Sequence, residues 1–292
     1  MTKNIGYAAT RTALYSPGRA WNFFQLGNYR DEANAAAELA RLAYVREKTQ
    51  LALYLARAGF ALLEAIGYER PGTQLFIAKG AIGGSEKLLI SFRGTEHEDP
   101  TDMATDLSFL PGPWLDADGQ PMGRVHRGFA EAICTPMASG TPILDHLQTV
   151  AAQRGLPVVL AGHSLGGALA TLAASRIAAS LYTFGSPRVG DATFAAAMQS
   201  VAHRRYVDCL DLVTRVPPRA LGYAHCGDLH YIDRNGAIAR YSNELDPAIV
   251  ADREAAEEEY KSLHALINGK VAMRSFADHS PINYVSALLG IR

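Results

Sequence analysis

The chain has 292 residues, 48% hydrophobic and 20% charged, an ordinary globular balance with ample material for a large core. Its 28 basic and 29 acidic side chains leave a net charge of -1. No basic cluster exceeds a local pair such as Arg204-Arg205, which argues against a nucleic-acid partner, since a polyanion demands a basic footprint.

The N-terminal stretch MTKNIGYAATRTALYSPGRAW has no uninterrupted apolar core, so no secretory signal is expected. This favours a cytoplasmic protein, or one exported without an N-terminal signal. Residues 1–27, with Tyr7, Tyr15, Trp21, Phe23 and Phe24, read as an arm packed on the main body. From Asp31 to Ile66 the periodicity is helical, with Leu39, Leu42 and Ala43 in register and a break at Gly59. The apolar run LALYLARAGFALLEAIGY within it carries Arg57 and Glu64 and is too mixed to span a bilayer. QLFIAKGAI and KLLISFRGT, separated by Gly83-Gly84, read as a hairpin. A helical stretch over about 129–153 leads to the strand PVVLAG, then a helix over about 165–179. The strand LYTFG, a short helix capped by Asp191 and the strand HRRYVDCL follow. Then come a hairpin (DLHYIDRNGAIARYS), an acidic helix near 248–268 and an apolar helix from Pro281. Strands alternating with helices predict one α/β domain around a mostly parallel sheet. Three cysteines (Cys134, Cys209 and Cys226) cannot all pair, so no disulfide framework is expected.

The chemistry concentrates at VVLAGHSLGGALATLA, residues 158–173. A sharp turn from strand to helix needs glycine two residues before and after its serine, because side chains there would strike the neighbouring strand and helix. Gly162, Ser164 and Gly166 meet that need, with an apolar strand ahead and a helix behind. Ser164 is therefore the candidate nucleophile, and the helix start supplies N–H donors where an oxyanion forms. His163 belongs to the turn and is not the expected base. Such a serine needs a later acid and then a histidine. Asp208 lies within a strand pattern, whereas Asp211 falls where the strand ends, ahead of Pro217-Pro218. Of the later histidines, His264 sits in a helical pattern, and His225 and His230 flank Cys226 and Asp228 on a hairpin. Those two suit packing better than a metal site. His279, in a loop before the last helix, can fold back to the serine. Asp211 and His279 complete the expected triad, and no metal or cofactor is needed.

In order, SFRGT (91–95), VHRGF (125–129), GHSLGG (162–167), YTFGSPRVGD (182–191), DLVTRVPP (211–218) and DHSPINY (278–284) resemble the signatures of the class 3 lipases. The resemblance spans about residues 35–290 and implies an α/β-hydrolase fold with Ser164 as nucleophile, Asp211 orienting the histidine and His279 as base and acid. It implies an oxyanion hole made by Thr95 and the backbone N–H of Leu165. It also places a lid over about 96–115. There Asp99 and Pro100 suit a helix start, and Met103, Leu107 and Leu110 form one apolar stripe. That segment carries Glu96, Glu98, Asp99, Asp102 and Asp106, with no Lys or Arg between Arg93 and Arg124. Such a surface repels anionic lipid, so neutral acyl esters at a lipid–water interface are the expected substrates. A phospholipase is the alternative activity, and a non-catalytic binding protein on the same fold is a third reading.

Overall fold

A computed structural model describes residues 6–24, 31–67, 72–94, 109–263 and 270–292. Twelve strands are present among them. They are β1 (Ala61–Ile66), β2 (Leu75–Ile82), β3 (Ser85–Phe92), β4 (Pro111–Leu115), β5 (Pro121–His126), β6 (Val158–His163), β7 (Ala179–Phe184), β8 (Gly190–Asp191), β9 (Ala202–Asp208), β10 (Tyr223–Ala224), β11 (Asp228–Ile232) and β12 (Ile238–Tyr241). Eight of them form the main sheet in the order β1-β2-β3-β6-β7-β9-β11-β12. The run from β3 to β11 is parallel, and antiparallel pairs close both edges.

Alternation along buried strands explains their nearly continuous apolar sequence. Val159 and Ala161 of β6 face one core, with Phe76, Leu39, Leu42 and Tyr284, whereas Val158 and Leu160 face another, with Phe92, Phe129, Leu147 and Leu169. Helices Glu32–Leu42 and Pro281–Leu288 cover the first face, and Arg127–Ile133, Ile143–Arg154 and Leu165–Ala174 cover the second.

Residues 6–24, the described part of the N-terminal stretch, lie against the body. Phe23 and Phe24 enter the first core, and Ala8 N–H donates to Asn283 Oδ1 at 2.8 Å. A buried ion pair fixes its later part. Arg41 Nε and Nη2 donate to the Glu38 carboxylate at 2.7 and 2.6 Å, Arg41 Nη1 donates to Pro17 O, and Glu38 accepts Phe23 N–H.

Four expectations need correction. Residues 61–66 are not helical: ALLEAI pairs with β2 as an edge strand with a bulge between Leu62 and Glu64. The helix expected over 129–153 is two, Arg127–Ile133 and Ile143–Arg154, parted by a turn that a Pro136–Pro142 bridge closes. The helix after Ser164 ends at Ala174, leaving residues 179–184 free to pair as β7. The end of the expected lid is also different. Residues 111–115 form β4, part of a small sheet ordered β10-β8-β5-β4, and Leu110 lies outside any helix with its carbonyl accepting Arg127 N–H. No helix among the described residues is long and apolar enough to cross a membrane.

Candidate active site

Ser164 sits between β6 and the helix Leu165–Ala174 with φ 59° and ψ -131°, the one non-glycine residue at positive φ among those described. Such a conformation costs on the order of 1–3 kcal/mol and persists only where the surroundings impose it. Here Ser164 N–H donates to Phe184 O of β7 at 2.9 Å. A Cβ on Gly162 would lie 2.1 Å from Gly166 O, and one on Gly166 would lie 2.2 Å from Phe92 O. Both glycines are thus demanded by close backbone approach, as the sequence argument required.

Asp211 follows β9 after a turn closed by its own N–H on Asp208 O at 2.7 Å. His279 lies in the turn between the short helix Arg274–Ala277 and the helix Pro281–Leu288. The three side chains meet. His279 Nε2 is 3.0 Å from Ser164 Oγ, and His279 Nδ1 is 2.9 and 3.0 Å from the two Asp211 oxygens. Because the carboxylate only accepts, Nδ1 carries the proton and Nε2 is left to accept from the serine hydroxyl. Ser164 and Asp211 are fully buried and His279 nearly so.

Asp211 is itself held by two donors, Tyr284 OH at 2.6 Å and Val213 N–H at 2.9 Å. The Tyr284 oxygen in turn accepts Asp208 N–H at 3.0 Å. Burial, followed by the charges of Asp211 and Asp208, pushes the Tyr284 phenol well up, so it stays a donor. Gly185, at φ 58°, passes beside this pair, and a Cβ there would fall 2.6 Å from Asp211 Oδ2. His163 occupies the other flank. Its Nε2 faces His279 O and its Nδ1 faces Tyr44 OH, both at 2.8 Å. A carbonyl can only accept, so Nε2–H donates there and Tyr44 donates to Nδ1. Burial drives the His163 imidazole well down, which keeps it neutral beside His279. Asp278 ties the histidine turn to the aspartate turn by accepting Leu210 N–H at 2.9 Å, Tyr7 OH at 2.6 Å and Arg274 Nε at 3.2 Å.

Sequence reasoning missed Tyr44, Tyr284 and Gly185 as parts of this site. Tyr284 stands inside the quoted DHSPINY, and its distance from the histidine was the usable signal. Tyr44 carried none, since it looked like one more residue of an apolar helix. Leu165 opens the helix after the serine, where first-turn N–H groups have no intrahelical partner. Thr95, Met103 and Leu107 lie outside the described residues. Gly94 is described and buried, and a Cβ on it would meet Tyr44 OH at 2.2 Å and His163 O at 2.7 Å. His225 and His230 lie elsewhere. His225 Nε2 faces Thr214 O at 2.8 Å, and the His230 ring packs 4.9 Å from that of Tyr206. No cluster of three or more His, Cys, Asp or Glu able to hold a metal occurs among the described residues.

Residues 89–221 match the class 3 lipase family. The Rhizomucor miehei lipase is 34% identical over 169 residues, covering 53% of this chain and 44% of that protein. A secreted mono- and diacylglycerol lipase of Fusarium solani is 38% identical over 116 residues, covering 37% of this chain and 34% of that one. The chain therefore spans less than half the length of these curated relatives. A crystal structure of a lipase from Rhizopus microsporus var. chinensis superposes with a TM-score of 0.52 and 28% identity, over 68% of this chain and 71% of that one. With an α/β-hydrolase fold and a family match running through the serine turn, the chain is similar to the class 3 lipases over residues 89–221.

Proposed function

We propose that this protein is a serine carboxylic-ester hydrolase of lipase type, acting on acylglycerols or shorter neutral acyl esters. The observation that carries the reading is the hydrogen-bonded chain Ser164–His279–Asp211 on a strained strand-to-helix turn. His279 Nε2 takes the hydroxyl proton as Ser164 Oγ attacks the ester carbonyl. The tetrahedral oxyanion is held by Leu165 N–H and by Thr95, each donor worth about 3 kcal/mol. His279 then returns the proton to the alkoxide, which leaves as the alcohol. Water, deprotonated by the same imidazole, attacks the acyl carbon, and the imidazolium returns that proton to Ser164 Oγ as the acyl–Oγ bond breaks and the acid leaves. Asp211 orients the ring and stabilises the imidazolium. Its two fixed donors keep it aimed at Nδ1.

The names of the relatives support the substrate class, since one is a mono- and diacylglycerol lipase. A fully buried Ser164 must be uncovered before an ester reaches it. In this reading that role falls to the segment before β4, whose sequence offers Met103 and Leu107 as apolar residues. The acidic residues Glu96 to Asp106 favour neutral over anionic interfaces. Hydrolysis of p-nitrophenyl esters from butyrate to palmitate, each beside Ser164→Ala, tests the reading. A rate that climbs with chain length and jumps on emulsion identifies a lipase, and one that peaks at short esters identifies an esterase. Faster release of fatty acid from phosphatidylglycerol vesicles than from triglyceride emulsion overturns the neutral-substrate assignment in favour of a phospholipase.

A further inference from the structure

Behind the loop that carries Asp211 lies a cavity of about 520 Å³, between residues 210–219 and the start of the helix Pro247–Leu263. Its chemistry is lopsided. Glu244, buried, accepts from Arg205 at 2.8 Å, Arg188 at 3.2 Å and Arg219 at 3.3 Å, so three guanidiniums share one carboxylate. Arg253 adds a fourth cation, fixed by Cys209 O and Glu244 O. Arg215 lines the same cavity, is exposed, and makes no hydrogen bond or ion pair through its guanidinium among the described residues. The buried Nε groups of Arg188 and Arg205 also lack acceptors among the described residues. Burial lowers Arg188, Arg205 and Arg215, and Arg253 adds to the effect at Arg215, as expected where cations crowd. Of the acidic residues on the helix side, Glu257 is paired with Lys261 at 3.0 Å and Glu254 is exposed.

The rest of the lining is apolar. Leu210 and Pro218 form one wall, and Leu245, 68% exposed, and Val250, 41% exposed, form the other. Exposed aliphatic side chains beside a surplus of guanidinium suit an anion that brings its own hydrocarbon. A bare inorganic anion would leave the leucine and valine wet, and a neutral alkyl chain would leave the cations unanswered.

We propose that this cavity binds a single-tailed carboxylate, a fatty acid, with its head on Arg215 and Arg219 and its tail along Leu245 and Val250. The assignment rests on the charge and lining of the cavity and does not depend on Ser164 being a nucleophile. Its position matters, since Thr214 Oγ1 donates to Asp211 O at 2.8 Å within the same loop that presents Arg215. An occupied head-group site therefore lies a few residues from the group that orients His279.

Calorimetric titration of Ser164→Ala protein with sodium decanoate, below its micellar threshold, tests this without turnover. The same titration is run with Arg215→Ala and Arg219→Ala added together, and separately with Leu245→Asp added; all three positions are exposed, so the fold is kept. One saturable site should weaken about tenfold or more in each of these variants, because a charge-assisted pair or a tail contact is lost. Acetate and decanol should each bind about tenfold or more weakly than decanoate. An unaltered decanoate isotherm in both variants overturns the site. Acetate or decanol binding as tightly as decanoate overturns the fatty-acid assignment.

Discussion

In the proposed reaction His279 takes and returns the proton, and each neighbour of it makes a distinct prediction. His279→Ala should abolish ester turnover with folding intact, while His230→Ala, whose ring packs against Tyr206, should leave turnover unchanged. Loss of activity in His230→Ala alone would reassign the base. Asp211→Asn should lower kcat about 10⁴-fold, because an amide at Nδ1 permits the wrong tautomer. Tyr284→Phe removes one of two fixed donors to Asp211 and should lower kcat about tenfold with KM unchanged, since a hydrogen bond to a charged group is worth about 1.5–3 kcal/mol. An equal fall in kcat/KM with a raised KM would point to a substrate contact instead. Ser164, Asp211 and His279 could be picked as candidates from the sequence because each stands at a position that chain order and element ends define, and the fold brings the three side chains together. Their supporting side chains could not be, because Tyr44 reaches His163 across 119 residues of sequence, and only folding makes them neighbours.

Two elements carry the placement of the site. The strand-to-helix turn has no room for a methyl group, since a Cβ on Gly166 would lie 2.2 Å from Phe92 O. Gly166→Ala should therefore destabilise the fold or displace the serine, read as a lowered Tm together with lost turnover. A fully active, equally stable Gly166→Ala variant would show that the turn can yield. The helix Glu32–Leu42 holds the arm through the Arg41–Glu38 pair, both side chains fully buried. Arg41→Ala strands Glu38 and should cost about 3–5 kcal/mol in denaturant unfolding. Elements were legible where one pattern dominated, as in the β2–β3 hairpin and in β6, whose two faces are both buried. They were misread where signals conflicted. ALLEAI continues a helical spacing past Gly59, yet its partner β2 offers an open edge, and pairing outweighs propensity. The turn between Arg127–Ile133 and Ile143–Arg154 and the small sheet of β4 and β5 rest on proline and glycine placements that sequence periodicity does not weigh.

At the scale of the whole molecule, buried imidazoles tie stability to pH. Burial first, then Arg205, pushes His203 down to about 3. Unfolded, it would titrate near its ordinary value of about 6.5, so between these limits the unfolded chain binds the extra proton. Its contribution to stability is complete above about pH 6.5 and is lost by about 1.4 kcal/mol per pH unit as acidity rises towards pH 3. His163 and His225, both shifted well down by burial, act in the same direction. His203→Gln should flatten the acid limb of the unfolding free energy by that slope, and an unchanged limb would contradict it. The α/β layering that sets this interior was legible from alternating strands and helices. What the sequence left hidden was its polar interior: the Glu38–Arg41 pair, the Asp278 junction and the arginines around Glu244, each assembled from distant segments. The most direct test of the account is intact-mass analysis after exposure to a fluorophosphonate. The account predicts one covalent adduct on the native chain, on Ser164, and none on Ser164→Ala. An adduct of equal yield on Ser164→Ala, or none on a folded native chain, would contradict it.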